Sequence, residues 1–188
     1  MSFDLAATLR RLKPEKRTAP IARRGDRELP LAKDHLGAGP ELLLDTSVYI
    51  DVLKGRAPPE VRQLLAIRQI NHSSVALSEL VHVFGRLDPA HPGTAGVLDQ
   101  ITGVIDDIPP HRLAAPSIQA SAEAGIVTGT IARLVGRPKT DRQPLLNDAM
   151  MFLQALESGC ALLSGNISDI DLIDQLVPGR MLVYRQVD

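Results

Sequence analysis

Asp45, Glu79, Asp148 and Asp169 share one arrangement: each sits beside an apolar stretch, at the point where the pattern of the chain changes. Asp45 ends Leu42-Leu43-Leu44, Glu79 follows Val75-Ala76-Leu77, Asp148 precedes the stripe begun by Ala149, and Asp169 follows Ala161-Leu162-Leu163. No Lys or Arg lies within two residues of any of them. Four carboxylates gathered in one cleft repel one another, and a divalent cation relieves that repulsion. With oxygen donors only, Mg2+ or Mn2+ is the expected ion, since zinc prefers His or Cys. Such an ion activates water toward a phosphodiester and stabilises the leaving oxygen, which is nuclease chemistry. Singly, each acid is explained by a helix start, where a carboxylate gains about 0.3–1 kcal/mol. All four on one edge favour a site.

The elements that must bring these acids together are legible as alternating strands and helices. Leu42-Leu43-Leu44 lacks polar alternation, as expected of a strand buried on both faces of a parallel sheet. Val61, Leu64 and Leu65 give a helical stripe behind Pro58-Pro59, and Ser73–Leu77 reads as a second strand. Ser78 is the expected cap of a helix carrying Glu79 in its first turn and Leu80, Val83, Phe84 and Leu87 on one face. A helix is expected over Ala95–Ile108, a short strand over Arg112–Ala115, and a long helix over Ile118–Val135 ended by Gly136. A polar loop, Lys139–Pro144, precedes a helix with Asp148 in its first turn and Ala149, Phe152, Leu153 and Leu156 on its face. Ala161–Leu163 reads as a strand, Ile170–Leu176 as a helix and Met181–Tyr184 as a closing strand. This is an α/β pattern with a central, mostly parallel sheet flanked by helices, and ligands of such sheets collect outside the carboxyl ends of the strands. No repeat of solenoid length is present.

At 188 residues, with 44% hydrophobic and 23% charged residues, the chain suits one globular domain rather than disorder. Three Phe, two Tyr and no Trp exclude an aromatic platform for stacked bases. The single cysteine, Cys160, makes neither an internal disulfide nor a cysteine-based zinc site, and suits a reducing interior. No apolar stretch reaches the ~20 residues of a membrane span, and no signal peptide is apparent, so a cytoplasmic protein is expected.

Charge is unevenly spread. Residues 1–40 carry nine Lys+Arg against five Asp+Glu, a net of +4 within a chain of net −1. Leu5, Leu9 and Leu12 mark a short helix that Ser2 is placed to cap and Pro14 to stop, and Pro20–Pro40 reads as linker. Residues 1–40 are thus expected as a basic arm and linker, for phosphate contacts or for folding back, and residues 41–188 as the body.

The segments Leu42–Asp51, Ser74–Leu80, Asn147-Asp148-Ala149 and Leu162–Asp169 resemble, in order and spacing, the motifs of PIN domains, most closely toxins of the VapC type. The resemblance covers about residues 41–185. It implies a PIN-like three-layer fold and a Mg2+- or Mn2+-dependent endoribonuclease with Asp45, Glu79, Asp148 and Asp169 around the metal. It also implies Thr46, Ser164 and Asn166 as polar supports, and the toxin of a type II toxin–antitoxin pair. Homodimerisation and silencing by a cognate antitoxin that plugs the acidic groove are implied likewise, by analogy. A housekeeping RNA-processing PIN nuclease, or a PIN-fold scaffold without activity, are the alternatives. Four departures stand out: the 40 residues before the first strand, Gly165 at a place often basic, Ile170 at one usually aromatic, and a Lys139–Pro144 loop longer than usual before Asp148.

Other acidic and glycine-rich groups fit no motif. Ser47 stands where a haloacid dehalogenase phosphatase needs a second Asp. Asp106-Asp107 follows a helical stripe and reads as surface charge. Ile173 and Asp174 break a calcium loop begun at Asp169 and Asp171. Gly37-Ala38-Gly39-Pro40 precedes a strand, whereas a dinucleotide fingerprint follows one. His72 and His82 read as structural residues and Cys160 as a small buried thiol.

Overall fold

Leu42, Leu43 and Leu44 are at most 5% exposed because their strand is the middle one of five, covered on both faces. Fully burying such a side chain contributes about 1.5–3 kcal/mol. The computed structural model describes residues 3–136 and 142–187. Its strands are β1 (Leu42–Leu44), β2 (Ile70–Ser73), β3 (Leu113–Ala114), β4 (Ala161–Ser164) and β5 (Met181–Val183), ordered β3-β2-β1-β4-β5 and parallel throughout. Eight α-helices are described: α1 (Leu5–Leu12), α2 (Thr46–Leu53), α3 (Pro59–Ile67), α4 (Ser74–Arg86), α5 (Thr94–Asp106), α6 (Ile118–Val135), α7 (Arg142–Ser158) and α8 (Ile167–Leu176). The strand order reverses direction between β1 and β4, which opens a crevice at their carboxyl ends. Leu44 pairs with Leu163, and the Asp45 amide donates to the Leu163 carbonyl at 3.0 Å. That register sets Asp45 beside Ser164 at the crevice.

Two helix starts differ from the sequence reading, and both concern the site. The second strand ends at Ser73, whose hydroxyl accepts from the Val75 amide and caps α4, so Val75-Ala76-Leu77 is helix. Glu79 is therefore in the second turn of α4, and Ser78 donates to the Val75 carbonyl inside the helix. Likewise α7 begins at Arg142, within the expected loop, of which residues 139–141 lie outside the described residues. Asp148 is the seventh residue of α7, in its second turn. Helix-dipole stabilisation fades within the first turn, so it explains neither acid. Gly136, at φ 70°, ends α6 in the left-handed conformation that a glycine adopts without cost.

The N-terminal segment also differs from its reading. Ser2 lies outside the described residues, and Asp4 caps α1 by accepting from the Ala7 amide at 2.9 Å. Of the leucine stripe only Leu12 is buried; Leu5 and Leu9 are exposed. Residues 20–40, read as linker, contain two short 3-10 turns and bury Leu29 and Ala32 in the same core as the sheet. Asp106 and Asp107 are exposed, and no described helix is long and apolar enough to cross a membrane.

Candidate active site

Asp45, at the end of β1, is 2% exposed. Its Oδ2 accepts from the hydroxyl of Ser47 at 2.5 Å and of Ser164 at 2.7 Å. Each hydroxyl in turn accepts from the loop leaving β4: Gly165 N donates to Ser47 at 2.9 Å and Asn166 N to Ser164 at 2.9 Å. Two backbone amides thus relay through two serines onto one carboxylate oxygen. Burial pushes the Asp45 carboxyl above the usual carboxylate range, the two hydroxyls oppose the shift, and the charge of Glu79 adds to it.

Glu79 is held from two sides. Thr46 donates to its Oε2, and Asn147 Nδ2 to its Oε1 at 2.6 Å. Asp148, 7% exposed, accepts from Asn166 Nδ2 at 2.8 Å. The same amide lies 3.3 Å from Asp169 Oδ2, while Asn166 Oδ1 caps α8 by accepting from the Asp169 amide. Burial first, then the charges of Asp45, Asp169 and Glu79, push the Asp148 carboxyl up to about 9. The four acids are therefore near enough to feel one another. Among the described residues no Lys or Arg forms an ion pair with Asp45, Glu79 or Asp148.

As a donor set, these carboxylate oxygens suit a hard divalent ion. Among the described residues, however, no three His, Cys, Asp or Glu side chains are grouped tightly enough to grip one ion. Thr46, Asn147 and Asn166 hold the Glu79 and Asp148 carboxylates instead.

Sequence reasoning passed over Ser47 and Asn147 as supports, although each neighbours an acid in the chain and carries a donor. Gly165 has its own reason: a Cβ there would stand 3.1 Å from Tyr184 and 3.3 Å from Asp51 Oδ2, so a larger residue would require these neighbours to give by a few tenths of an ångström. His72 shares a 2.6 Å hydrogen bond with the Tyr49 hydroxyl behind the site, and burial lowers its pKa. His82 is exposed on α4 and Cys160 is buried.

No protein-family model matches this chain, and no curated protein does. Solved structures do match. A chain of DNA-bound VapBC from Salmonella typhimurium is 22% identical over 77% of this chain and 98% of its own, with a TM-score of 0.54. A chain of VapBC2 from Rickettsia felis, bound to a DNA fragment from its promoter, is 13% identical over 78% and 98%, with a TM-score of 0.52. A chain of FitAcB from Neisseria gonorrhoeae is 14% identical over 77% and 96%, also at 0.52. At such identities the likeness is one of fold. The chain has the PIN-like α/β fold that the sequence resemblance implies, with an all-parallel sheet.

Proposed function

We propose that this protein is a Mg2+- or Mn2+-dependent endoribonuclease, the toxin of a type II toxin–antitoxin pair. The observation that carries the reading is the meeting at the β1/β4 crevice of buried Asp45 and Asp148 with Glu79 and Asp169, oriented by the hydrogen bonds of Thr46, Ser47, Asn147, Ser164 and Asn166. Asp45, Glu79, Asp148 and Asp169 would hold the ion, which supplies a hydroxide-like water and charge for the leaving oxygen. The chain's own part is to present and orient these oxygens. Ser47 and Ser164 fix the Asp45 carboxylate, Thr46 and Asn147 fix that of Glu79, and Asn166 spans Asp148 and Asp169. Burial and like charge hold the Asp148 carboxyl above the usual carboxylate range, and a cation held by these residues would oppose that shift.

The fold neighbours are VapBC and FitAcB assemblies, which supports a cognate antitoxin as partner; homodimerisation and a cytoplasmic setting belong to the same proposal. The test is cleavage of RNA by the purified chain with Mg2+ or Mn2+, abolished by EDTA and by Asp45→Asn. RNA left intact with either metal, or cut equally well in EDTA, overturns the reading. Co-expression with a small DNA-binding protein encoded beside this chain should yield a complex that no longer cleaves.

A further inference from the structure

Away from the cleft, the N-terminal segment converges on one buried carboxylate. Asp171 is 0% exposed and sits on α8 two residues past Asp169. Its Oδ2 accepts from the Arg24 amide at 2.8 Å and from Gln175 Nε2 at 2.9 Å, and its Oδ1 accepts from Arg24 Nε at 2.5 Å. The other end of the same guanidinium reaches Asp174 at 2.5 Å. Gln175 Nε2 also donates to the Ala22 carbonyl at 2.9 Å, and Arg17 Nη2 to the Leu176 carbonyl at 2.7 Å. The segment thus grips four polar points from the middle of α8 to its end: Asp171, Asp174, Gln175 and the Leu176 carbonyl.

The first turn of that ten-residue helix belongs to the cleft, through its cap Asn166 and through Asp169. A short helix moves as one body, so a grip from its middle to its end fixes its first turn. The three cations of residues 17–24 are engaged by the protein itself: Arg17 donates to the Leu12 and Leu176 carbonyls, Arg23 pairs with Asp26, and Arg24 with Asp171 and Asp174.

We infer that residues 17–24 are an intramolecular clamp on α8 and that Arg24 is a positioning residue, which sets the place of Asn166 and Asp169 by holding Asp171. The mechanical part stands on the contacts themselves; its consequence for cleavage rests on the nuclease reading above. The clamp predicts that loosening Arg24 is felt at the cap of α8, beyond the helix's own point of contact. It also predicts that the segment does little for RNA affinity.

The test compares the full-length protein with Arg24→Gln/Asp171→Asn, which removes the guanidinium together with its buried partner and leaves Asp174 to the Gly179 amide, with Arg24→Lys, and with Arg185→Ala. The last removes another ion pair to the segment, with Asp26, and leaves α8 untouched. In metal-free protein, hydrogen exchange at the amides of 169–171 should quicken roughly 3- to 30-fold in the double variant, and not in Arg185→Ala. Exchange in β1 and β4 should stay as in the parent. Under the nuclease reading, kcat should fall roughly 3- to 30-fold at constant KM, and Arg24→Lys should recover part of it. Unchanged exchange at 169–171, or a uniform rise over the whole protein, overturns the clamp. So does a raised KM with a flatter salt dependence, which would make the segment an RNA contact. If the parent protein cleaves no RNA at all, the nuclease reading falls while the exchange pattern still decides the clamp.

Discussion

Four aspartates in this protein are almost equally hidden from solvent, and they have opposite surroundings. Asp51 and Asp171 are 0% exposed and each meets a guanidinium, Arg56 at 2.9 Å and Arg24 at 2.5 Å. Asp45 and Asp148, at 2% and 7%, meet hydroxyls, an amide and further carboxylates, and among the described residues neither meets a cation. Burial alone therefore separates nothing. A buried carboxylate with its counter-charge built in is a structural fixture, and one whose counter-charge is missing from the fold is suited to receive it from outside. The raised pKa of Asp45 and Asp148 has this cause, burial first and then crowding by like charge.

The sharpest way to break this comparison is activity. Asp45→Asn should lower RNA cleavage by at least about 100-fold, more than the loss of an outer-sphere support. Asp148→Asn should do the same while raising stability by roughly 0.5–2 kcal/mol, since the folded state then buries a neutral amide without having to take up a proton. Both are checked by cleavage rates beside denaturant melts. A variant that folds, stays as stable as the parent and cleaves normally would remove the distinction.

The paired class should respond with the opposite sign. Arg56→Met leaves Asp51 buried beside the Tyr184 hydroxyl alone, and should cost about 3 kcal/mol. That is the lower end for a broken buried pair, because the Arg56 side chain is 38% exposed. Adding Asp51→Asn should recover much of the loss. If Arg56→Met and Asp148→Asn shift stability in the same direction, the two classes are not distinct.

Metal should act on one class only. Mn2+ or Mg2+ at about 100 times Kd should stabilise the folded state by ~2.7 kcal/mol, roughly 5–10 °C in Tm for a chain of this size. The shift should vanish in Asp148→Asn and persist in Arg56→Met. Thermal melts with and without EDTA decide this.

Per pH unit, the response to pH is the smallest effect. In metal-free protein the folded Asp148 holds its proton up to about 9, whereas its ordinary value is 3.8. Between about 4 and about 9 the folded state binds the extra proton, so stability is greatest at the acid end of that window and falls as pH rises. The slope should be at most about 3–5 °C in Tm per pH unit. Asp148→Asn should flatten it. A metal-free Tm that rises with pH across the window would contradict the raised value.

Much of this was legible in the chain, and the gaps have physical causes. Leu42–Leu44, Ala161–Ser164 and Met181–Val183 announce themselves because strands buried on both faces carry no polar alternation. The start of α7 was misplaced because Arg142-Gln143-Pro144 is polar and carries a proline, and that of α4 because Val75-Ala76-Leu77 is too short to separate strand from helix by periodicity. The true start rested on which serine caps, Ser73 or Ser78, and that depends on the local turn. The acids themselves were visible from type and placement, but Ser47 and Asn147 were not, since a serine or asparagine beside an acid is unremarkable until the fold turns it inward. Nothing in Pro20–Pro40 shows periodicity, and its burial of Leu29 and Ala32 is dictated by the body it lies on.

The segment has a last consequence, for the life of the protein in a crowded solution. β5 ends the sheet on one side, and a bare parallel edge offers its amides and carbonyls to any other extended chain. Here the Val183 amide is already taken by the Pro30 carbonyl at 3.1 Å, and Leu31 forms a parallel bridge with Val183. The residue that seals the edge is a proline, which has no amide hydrogen of its own to pass the pairing outward. The sheet is thus terminated by a residue unable to extend it, so this edge is protected from strand-by-strand self-association.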